Sequence, residues 1–501
     1  MKKTVSLILA LILVSSALLV SCTGEVVPTG TAPAAEPTGP NRGDVIDNLP
    51  ELDYDGETVM MYFMTQHQFE GLSYNEFTTD AINMDALNDA IFNREQHVMT
   101  RLNVKFKYKY SAEDNVSETL TSSVLTGLDE YQVASESAHV FVENATNGNL
   151  QNVMNKERFP YFDFSQPWWA SMYIENAMIN DALFTLTGDY SLSYIKGMYA
   201  TFFNKALCEQ LGIPDLYGVV NDGEWTIDKQ IEFASLAYSD VSGDGKTKDD
   251  IFGFGCDNNP DSDVYWAAFD LDLIERNADG EYVIDFDIDH LDSVLTKLSS
   301  LYNENKSFLY YTMFTDAEME NDYNNILKVK FSEDELLFMT KTLGMCDNPE
   351  LRNMKNDYGI ITLPKWDTNQ DSYYTAVVEN YSLLGIPRTV VNTEIVSAVL
   401  EALSSDSYRY VTPAYYNKVL KGRYMSDTES TKMIDKITSS YKIDFGVIYS
   451  VPLKRLAHQL MRNFLLGENG KSISSFWRSN KKMYSTALSK MIASAEKNAK
   501  G

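Results

Sequence analysis

The stretch that decides the fold runs from Tyr54 to Tyr110. It opens on Thr58-Val-Met-Met-Tyr-Phe63, a β-branched and aromatic run that predicts a buried strand. Met84, Leu87, Ile91, Val98 and Leu102 then recur at helical spacing along one face. In Val104-Lys-Phe-Lys-Tyr-Lys-Tyr110 apolar and aromatic side chains alternate with lysines, the pattern of a half-buried strand. Strand, helix and strand in that order begin an α/β layer with a parallel sheet.

The alternation returns further along. Thr226 has the chemistry of an N-cap for a helix reaching about Tyr238, with Asp228 in its positive first turn. Tyr358–Leu363 and Ala376–Ile386 read as strands. Ile395, Val399 and Leu403 mark one face of a helix that Thr393 would cap. No internal repeat is present. The tail from Lys481 to Gly501 is basic and amphipathic, which predicts a final helix docked on the surface.

Lys2 and Lys3 precede an apolar run, Val5 to Val20, of the kind found in secretory signals. The run is shorter than the ~20 residues a membrane-spanning helix needs. Leu19-Val20-Ser21-Cys22 resembles the bacterial lipobox, so residues 1–21 are expected to be a lipoprotein signal peptide. Cys22 would then carry the lipid, and the chain would be held at the extracytoplasmic face of the cell membrane by that anchor alone. Residues 22–51 follow as a flexible linker: Thr, Pro, Gly and Ala dominate, and no aromatic residue interrupts them before Pro50.

Asp and Glu number 71 against 42 Lys and Arg, a net charge of -29. Such a surface repels phosphate backbones and excludes nucleic acid as a partner. The 31 Tyr, 24 Phe and 6 Trp supply a large core and leave rings to spare for binding. Cys208, Cys256 and Cys346 are too few and too scattered for a disulfide framework or a metal-ligand spacing.

One segment, Asp240-Val-Ser-Gly-Asp-Gly-Lys-Thr-Lys-Asp-Asp250, has the oxygen spacing of a calcium loop. Asp240, Ser242 and Asp244 stand at the first, third and fifth positions, Gly245 at the turn, and the Lys246 carbonyl next. Ile251 occupies the position of the usual closing carboxylate, so Asp250 or Asp249 would have to complete the shell. A structural calcium ion is expected, and no catalytic cofactor. Gly245-Lys-Thr247 is not a phosphate loop, because Asp240 replaces the first glycine and a helix rather than a strand precedes it. The five histidines, 67, 97, 139, 290 and 458, form no metalloprotease pair, and no nucleophile elbow exists.

Several segments then point one way together: Phe-Ser-Gln-Pro-Trp-Trp (164–169), Thr-Gly-Asp-Tyr-Ser-Leu-Ser-Tyr (187–194), Phe-Phe-Asn-Lys-Ala-Leu (202–207), Gly-Glu-Trp-Thr-Ile-Asp-Lys (223–229), Ser-Gly-Asp-Gly-Lys (242–246), Asp-Asp-Ile-Phe-Gly-Phe (249–254) and Tyr-Gly-Ile-Ile-Thr-Leu-Pro-Lys (358–365). In order and spacing they resemble the family 1 extracellular solute-binding proteins, the lipoprotein receptors of sugar-type ABC importers. The resemblance implies a two-lobed periplasmic-binding-protein-like (type II) α/β fold with a hinge and an interlobe cleft. It places one lobe at 52–188 plus 370–410 and the other at 189–369 plus 411–500. It implies a monomer that captures a carbohydrate, an oligosaccharide first of all, by hinge closure and passes it to ABC permease subunits.

Sugar capture calls for flat aromatic faces and hydroxyl-binding polar groups. The candidates are Trp168, Trp169, Tyr265, Trp266 and Trp477 as stackers, with one of the Trp168 and Trp169 pair expected in the core, and Gln66, Glu136, Asp189, Glu379 and Asn380 as polar partners. Trp225 and Trp366 read as structural. Two other readings remain open on the residues alone: a surface-anchored glycoside hydrolase, and a calcium-stabilised sensory or adhesion module.

Overall fold

The first strand–helix–strand unit forms as the sequence implies. Strand β1 (Glu57–Met64) runs parallel to β2 (Val104–Ser111), with Glu57 beside Val104 and Met64 beside Ser111. The helix between them is Ala86–Leu102, and it buries Leu87, Ile91, Val98 and Leu102. Met84 is not part of that face. The Asp85 side chain accepts from the amides of Leu87 and Asn88 and so starts the helix after Met84, which is left 94% exposed with a φ of 67°.

The computed structural model describes residues 42–64, 77–111, 115–256, 262–310, 313, 323–421, 428–465, 467 and 472–500. All of them belong to one compact unit, Pro40–Gly501. The remaining strands are β3 (Val133–Ser137), β4 (Thr185–Leu186), β5 (Tyr199–Asn204), β6 (Phe252–Cys256), β7 (Ile274–Arg276), β8 (Tyr282–Ile284), β9 (Phe308–Leu309), β10 (Leu336–Thr342), β11 (Tyr358–Ile361) and β12 (Ser382–Gly385). They build two five-stranded sheets, one in the order β2-β1-β3-β12-β4 and the other β11-β5-β10-β6-β9. β1 is parallel to β3, while β12 lies antiparallel to β3 and β4. Each sheet is the centre of one lobe, and the chain passes between lobes before β5 and again before β12. β7 and β8 form a separate hairpin.

The passages between lobes pair with one another. Tyr199 N donates to Ala376 O (2.9 Å) and Val378 N to Gly197 O (2.8 Å), so the two crossovers run antiparallel side by side. Lys442 N donates to Thr375 O (2.9 Å) and adds a third segment beside them. Gly197 is required here: a Cβ would lie 2.8 Å from Ser193 O and 2.9 Å from Val378 Cγ1. Residues 376–386, one strand by sequence pattern, are therefore two pieces, a crossover and then β12.

Helix Ile227–Ala237 has Thr226 as its N-cap, accepting from Lys229 N, with Asp228 in the first turn. Helix Thr393–Asp406 differs from its expected form. Thr393 is its first residue, its hydroxyl donates to Arg158 O, and Asn392 holds the cap position without a side-chain bond. The helix is buried all round except at Glu394, so Ile395, Val399 and Leu403 are part of a fully enclosed element. Helix Thr412–Lys421 packs on Ala86–Leu102 of the first lobe, and the last helix, Ile473–Ala499, reaches both lobes. Among the described residues no helix is long and apolar enough to cross a membrane. Cys208, Cys256 and Cys346 are buried free thiols.

Candidate ligand site beside the crossover strands

The second crossover ends at Glu379, which enters the first lobe next to β3. His139 N donates to Glu379 O (3.1 Å) and Ala138 N to Tyr381 O (2.8 Å), fixing the backbone there. Across from Glu379 lies the segment 456–465, where His458 and Arg462 stand one helical turn apart in two short helices, Leu456–Leu460 and Arg462–Leu465. Glu379 Oε2 meets His458 Nε2 at 3.1 Å and Glu379 Oε1 meets Arg462 Nη2 at 3.2 Å. Asp263, just before helix Val264–Ala268, completes the group. Arg462 Nε donates to Asp263 Oδ2 (2.6 Å), and His458 Nε2 lies 3.4 Å from the same oxygen.

Burial pushes the Glu379 carboxyl up, but the hydrogen bond from His458 and the charges of His458 and Arg462 outweigh it and hold it well below the usual carboxylate range. For Asp263 the balance reverses. Its burial raises the carboxyl above the usual value, and Arg462 and His458 only partly offset that. His139 is held below the ordinary imidazole value, mainly by burial.

The group borders a cavity of about 50 Å³, walled by Tyr199, Trp266, Val378, Glu379, His458 and Arg462 among others. Two buried polar atoms on its wall have no hydrogen-bond partner: Asp263 Oδ1, an acceptor, and Trp266 Nε1, a donor. Unsatisfied buried groups of this kind are rare in folded proteins because each costs ~1–3 kcal/mol. A hydroxyl is the kind of group that both donates to a carboxylate and accepts from an indole. The volume admits a few water molecules or the end of a larger ligand.

The other sequence candidates are distributed differently. Asn380 is beside the group, its Oδ1 3.4 Å from Ser137 Oγ. Tyr265 is buried and packs on Phe269 at 4.9 Å. Glu136 caps a helix: its oxygens accept from the amides of Val116 and Ser117 (both 3.1 Å) at the start of Val116–Thr126. Trp168 is wholly buried in the first lobe, and its neighbour Trp169 is buried with it. Their indole N–H groups donate to the two oxygens of Glu401, at 3.1 and 3.0 Å. Asp189 lines a separate depression of about 330 Å³ and pairs with Arg42 (2.9 Å), whose guanidinium lies 4.3 Å from the Tyr408 ring centroid. Trp477 is on the last helix, against Phe286 (5.0 Å) and Tyr484 (6.3 Å). Gln66 and Cys22 lie outside the described residues. Trp225 is buried with its N–H on Thr362 O (3.0 Å), and Trp366 lies under Lys297.

Sequence reasoning thus found Trp266 and Glu379 at the cavity and missed Asp263, His458 and Arg462. The visible signal was the pair His458 and Arg462 four residues apart in the apolar run Leu456–Leu465. A polar pair at helical spacing inside such a run has to meet partners.

In the 240–250 loop the carboxylates bind the chain itself. Asp240 accepts from the amides of Gly243 (2.6 Å) and Gly245 (2.9 Å). Asp250 accepts from Val241 N (3.1 Å), Thr247 N (2.8 Å) and the Tyr238 hydroxyl (3.2 Å). Ser242 donates to Asp244, and Lys246 Nζ donates to Asn305 O (3.0 Å). Among the described residues no group of three His, Cys, Asp or Glu side chains is placed to hold a metal ion.

No protein-family profile and no curated protein sequence matches the chain. Solved structures do match. The galacto-N-biose-/lacto-N-biose I-binding protein of the ABC transporter from Bifidobacterium longum is similar with a TM-score of 0.51 and 13% identity, over 89% of this chain and 98% of that one. The GacH receptor of Streptomyces glaucescens (TM-score 0.49, 13% identity, 89% of this chain and 99% of that one) and M. tuberculosis UspC (0.49, 13%, 87% and 100%) are similar as well. The first likeness establishes the fold. The chain has the two-lobed α/β fold of a solute-binding protein of ABC transporters.

Proposed function

We propose that the chain is an extracytoplasmic receptor that captures a carbohydrate between its lobes and delivers it to an ABC importer. The observation that carries this reading is the cavity against the crossover strands, with its unpaired acceptor on Asp263 and unpaired donor on Trp266. Groups from both lobes meet there, Glu379 and His139 from the first, Asp263, His458 and Arg462 from the second. A ligand bound there contacts both lobes only when they are closed, and so shifts the population toward the closed state. The similar protein from Bifidobacterium longum is described in complex with lacto-N-biose, which supports an oligosaccharide as the ligand class.

The anchor proposed at Cys22 would keep a monomeric receptor near its permease and raise its effective concentration there. The chemistry at the cavity is that of holding, and the chain is proposed to bind without turnover. A structural calcium ion in the loop from Asp240 to Asp250 remains part of the proposal.

A thermal-shift panel of saccharides tests the whole reading. A hit stabilises the fold by RT ln(1 + [L]/Kd) and so raises the melting temperature, and the same sugar is recovered unchanged after incubation. No stabilising saccharide in a broad panel removes the carbohydrate assignment, and a new product would move the chain to the hydrolases. Run with chelator and then with added calcium, the assay decides the loop: an unchanged curve ends the calcium proposal.

A further inference from the structure

The last helix, Ile473–Ala499, is used by neither the cavity nor the crossovers. Its inner side buries Phe476, Trp477, Tyr484, Leu488, Met491 and Ala495. Near its start Trp477 packs on Phe286 of the second lobe, and near its end Ser494 and Asn498 donate to Thr146 O of the first (2.6 and 2.9 Å). The helix is therefore clamped across the body of the protein at a fixed rotation.

Its outer side is basic. Arg478, Lys481, Lys482, Lys490, Lys497 and, at the C-cap, Lys500 are all exposed. At 100° per residue they fall within about half of the helix circumference. The segment's one acidic residue, Glu496, is exposed on the same face, accepts from Asn180 Nδ2 (2.6 Å) and offsets one of the six charges. Among the described residues none of the six basic groups has a carboxylate partner; Lys481 lies over the Trp477 ring at 5.9 Å. In a chain with a net charge of -29, six unpaired cations gathered on one face form a segregated patch. Between Lys482 and Lys490 the short side chains of Ser485, Thr486, Ser489 and Ala493 leave a shallow depression of about 400 Å³, flanked by the two ammonium groups. Met483 stands beside it, 42% exposed.

We propose that this face docks on an anionic lipid bilayer, with headgroup phosphates lying along the lysine row and in the depression it flanks. The charges are spread along a rod about 40 Å long, which suits a flat and laterally mobile array of anions. An acidic protein segment would want an apolar anchor, and the large exposed apolar side chain beside the depression is Met483 alone. Each Lys or Arg close to an anionic surface contributes ~1 kcal/mol, and screening confines the attraction to about a Debye length, so the acidic remainder of the molecule does not cancel it. Thr486 and Ser489 donate their hydroxyl protons to Lys482 O (2.7 Å) and Ser485 O (3.0 Å), so of the three hydroxyls there it is that of Ser485 that serves as a donor for a phosphate oxygen. The docking stands apart from sugar capture and from the lipid on Cys22.

The test is flotation of the full chain with phosphatidylcholine vesicles, with and without phosphatidylglycerol. The apolar leader adheres to both, so the readout is the ratio of the two partition coefficients. The wild-type ratio is expected well above one and to fall toward one at high salt. In K482E/K490E/K497E it drops by at least tenfold, and in K482Q/K490Q/K497Q by less, with the melting temperature of both variants unchanged. A wild-type ratio of one, or a ratio that both variants retain, as for a face reserved for an acidic protein segment or left to solvent, overturns the proposal.

Discussion

Two regions of this molecule bury carboxylates next to tryptophan, and they end in opposite states. In the first lobe Glu401 receives the indole N–H groups of both Trp168 and Trp169, and neither indole is left unpaired. Beside the crossovers Asp263 and Glu379 are tied to Arg462 and His458, yet Trp266 Nε1 and Asp263 Oδ1 remain without partners. The first knot is complete within the chain and serves stability. The second is incomplete, with one acceptor and one donor left over, the two kinds of bond a hydroxyl makes. A buried tryptophan is thus read by where its N–H goes, more than by its burial.

The largest effect that would break the comparison is expected at Glu401. Glu401→Ala strands two buried indole donors and opens a gap, and should cost about 3–5 kcal/mol in a denaturant titration. A loss below about 1 kcal/mol would show that the knot is not structural.

Smaller, and different in kind, is the pH dependence of the same group. Burial raises the Glu401 carboxyl to about 8, with its hydrogen bonds from Trp169, Asp163 N and Trp168 opposing. A carboxyl raised in the folded state contributes stability that is complete below its unfolded value of ~4.3 and is lost as the pH rises through the folded one. Melting temperature should therefore fall between about pH 5 and 8 in the wild type. Glu401→Gln should flatten that slope while lowering stability at the acid end, where its amide faces an indole donor. An identical slope in wild type and variant would exclude Glu401 as its source.

The smallest expected effect is the sharpest contrast. Trp168→Phe gives up a made hydrogen bond and leaves a Glu401 oxygen short of one donor, at a cost of ~1–2 kcal/mol. Trp266→Phe gives up an N–H that no protein group uses, so beyond the packing loss of the smaller ring, which both substitutions share, the unliganded protein should lose nothing further. Affinity for the saccharide proposed as ligand, measured by calorimetry, should fall about tenfold, the equivalent of one lost hydrogen bond. Equal destabilisation by the two substitutions would erase the distinction.

Much of the fold was legible in the residues. The opening strand–helix–strand and the Thr226 cap both follow from patterns within a dozen neighbours, since local periodicity and capping are set by adjacent residues. Even there the Asp85 cap, which starts the helix after Met84, outranked a periodicity that began at Met84. Less of the site was legible. Trp266 and Glu379 could be named because aromatic and polar residues near strand ends are natural binders. Asp263, His458 and Arg462 could not, since their meaning lies in contacts between residues as far as 199 positions apart. Glu401 left a faint trace as the lone carboxylate in the apolar run from Ile395 to Leu403.

The sequence by itself determined the α/β class, the acidic net charge, the Thr226 cap and the basic amphipathic tail, because each is a property of composition or of near neighbours. Only the tertiary structure decided which tryptophans are core and which faces a cavity, that the pattern from 376 to 386 is a crossover followed by a strand, and that Glu136 caps a helix. Those outcomes turn on whether a buried donor or acceptor finds its partner, and the partners are brought together only by the fold.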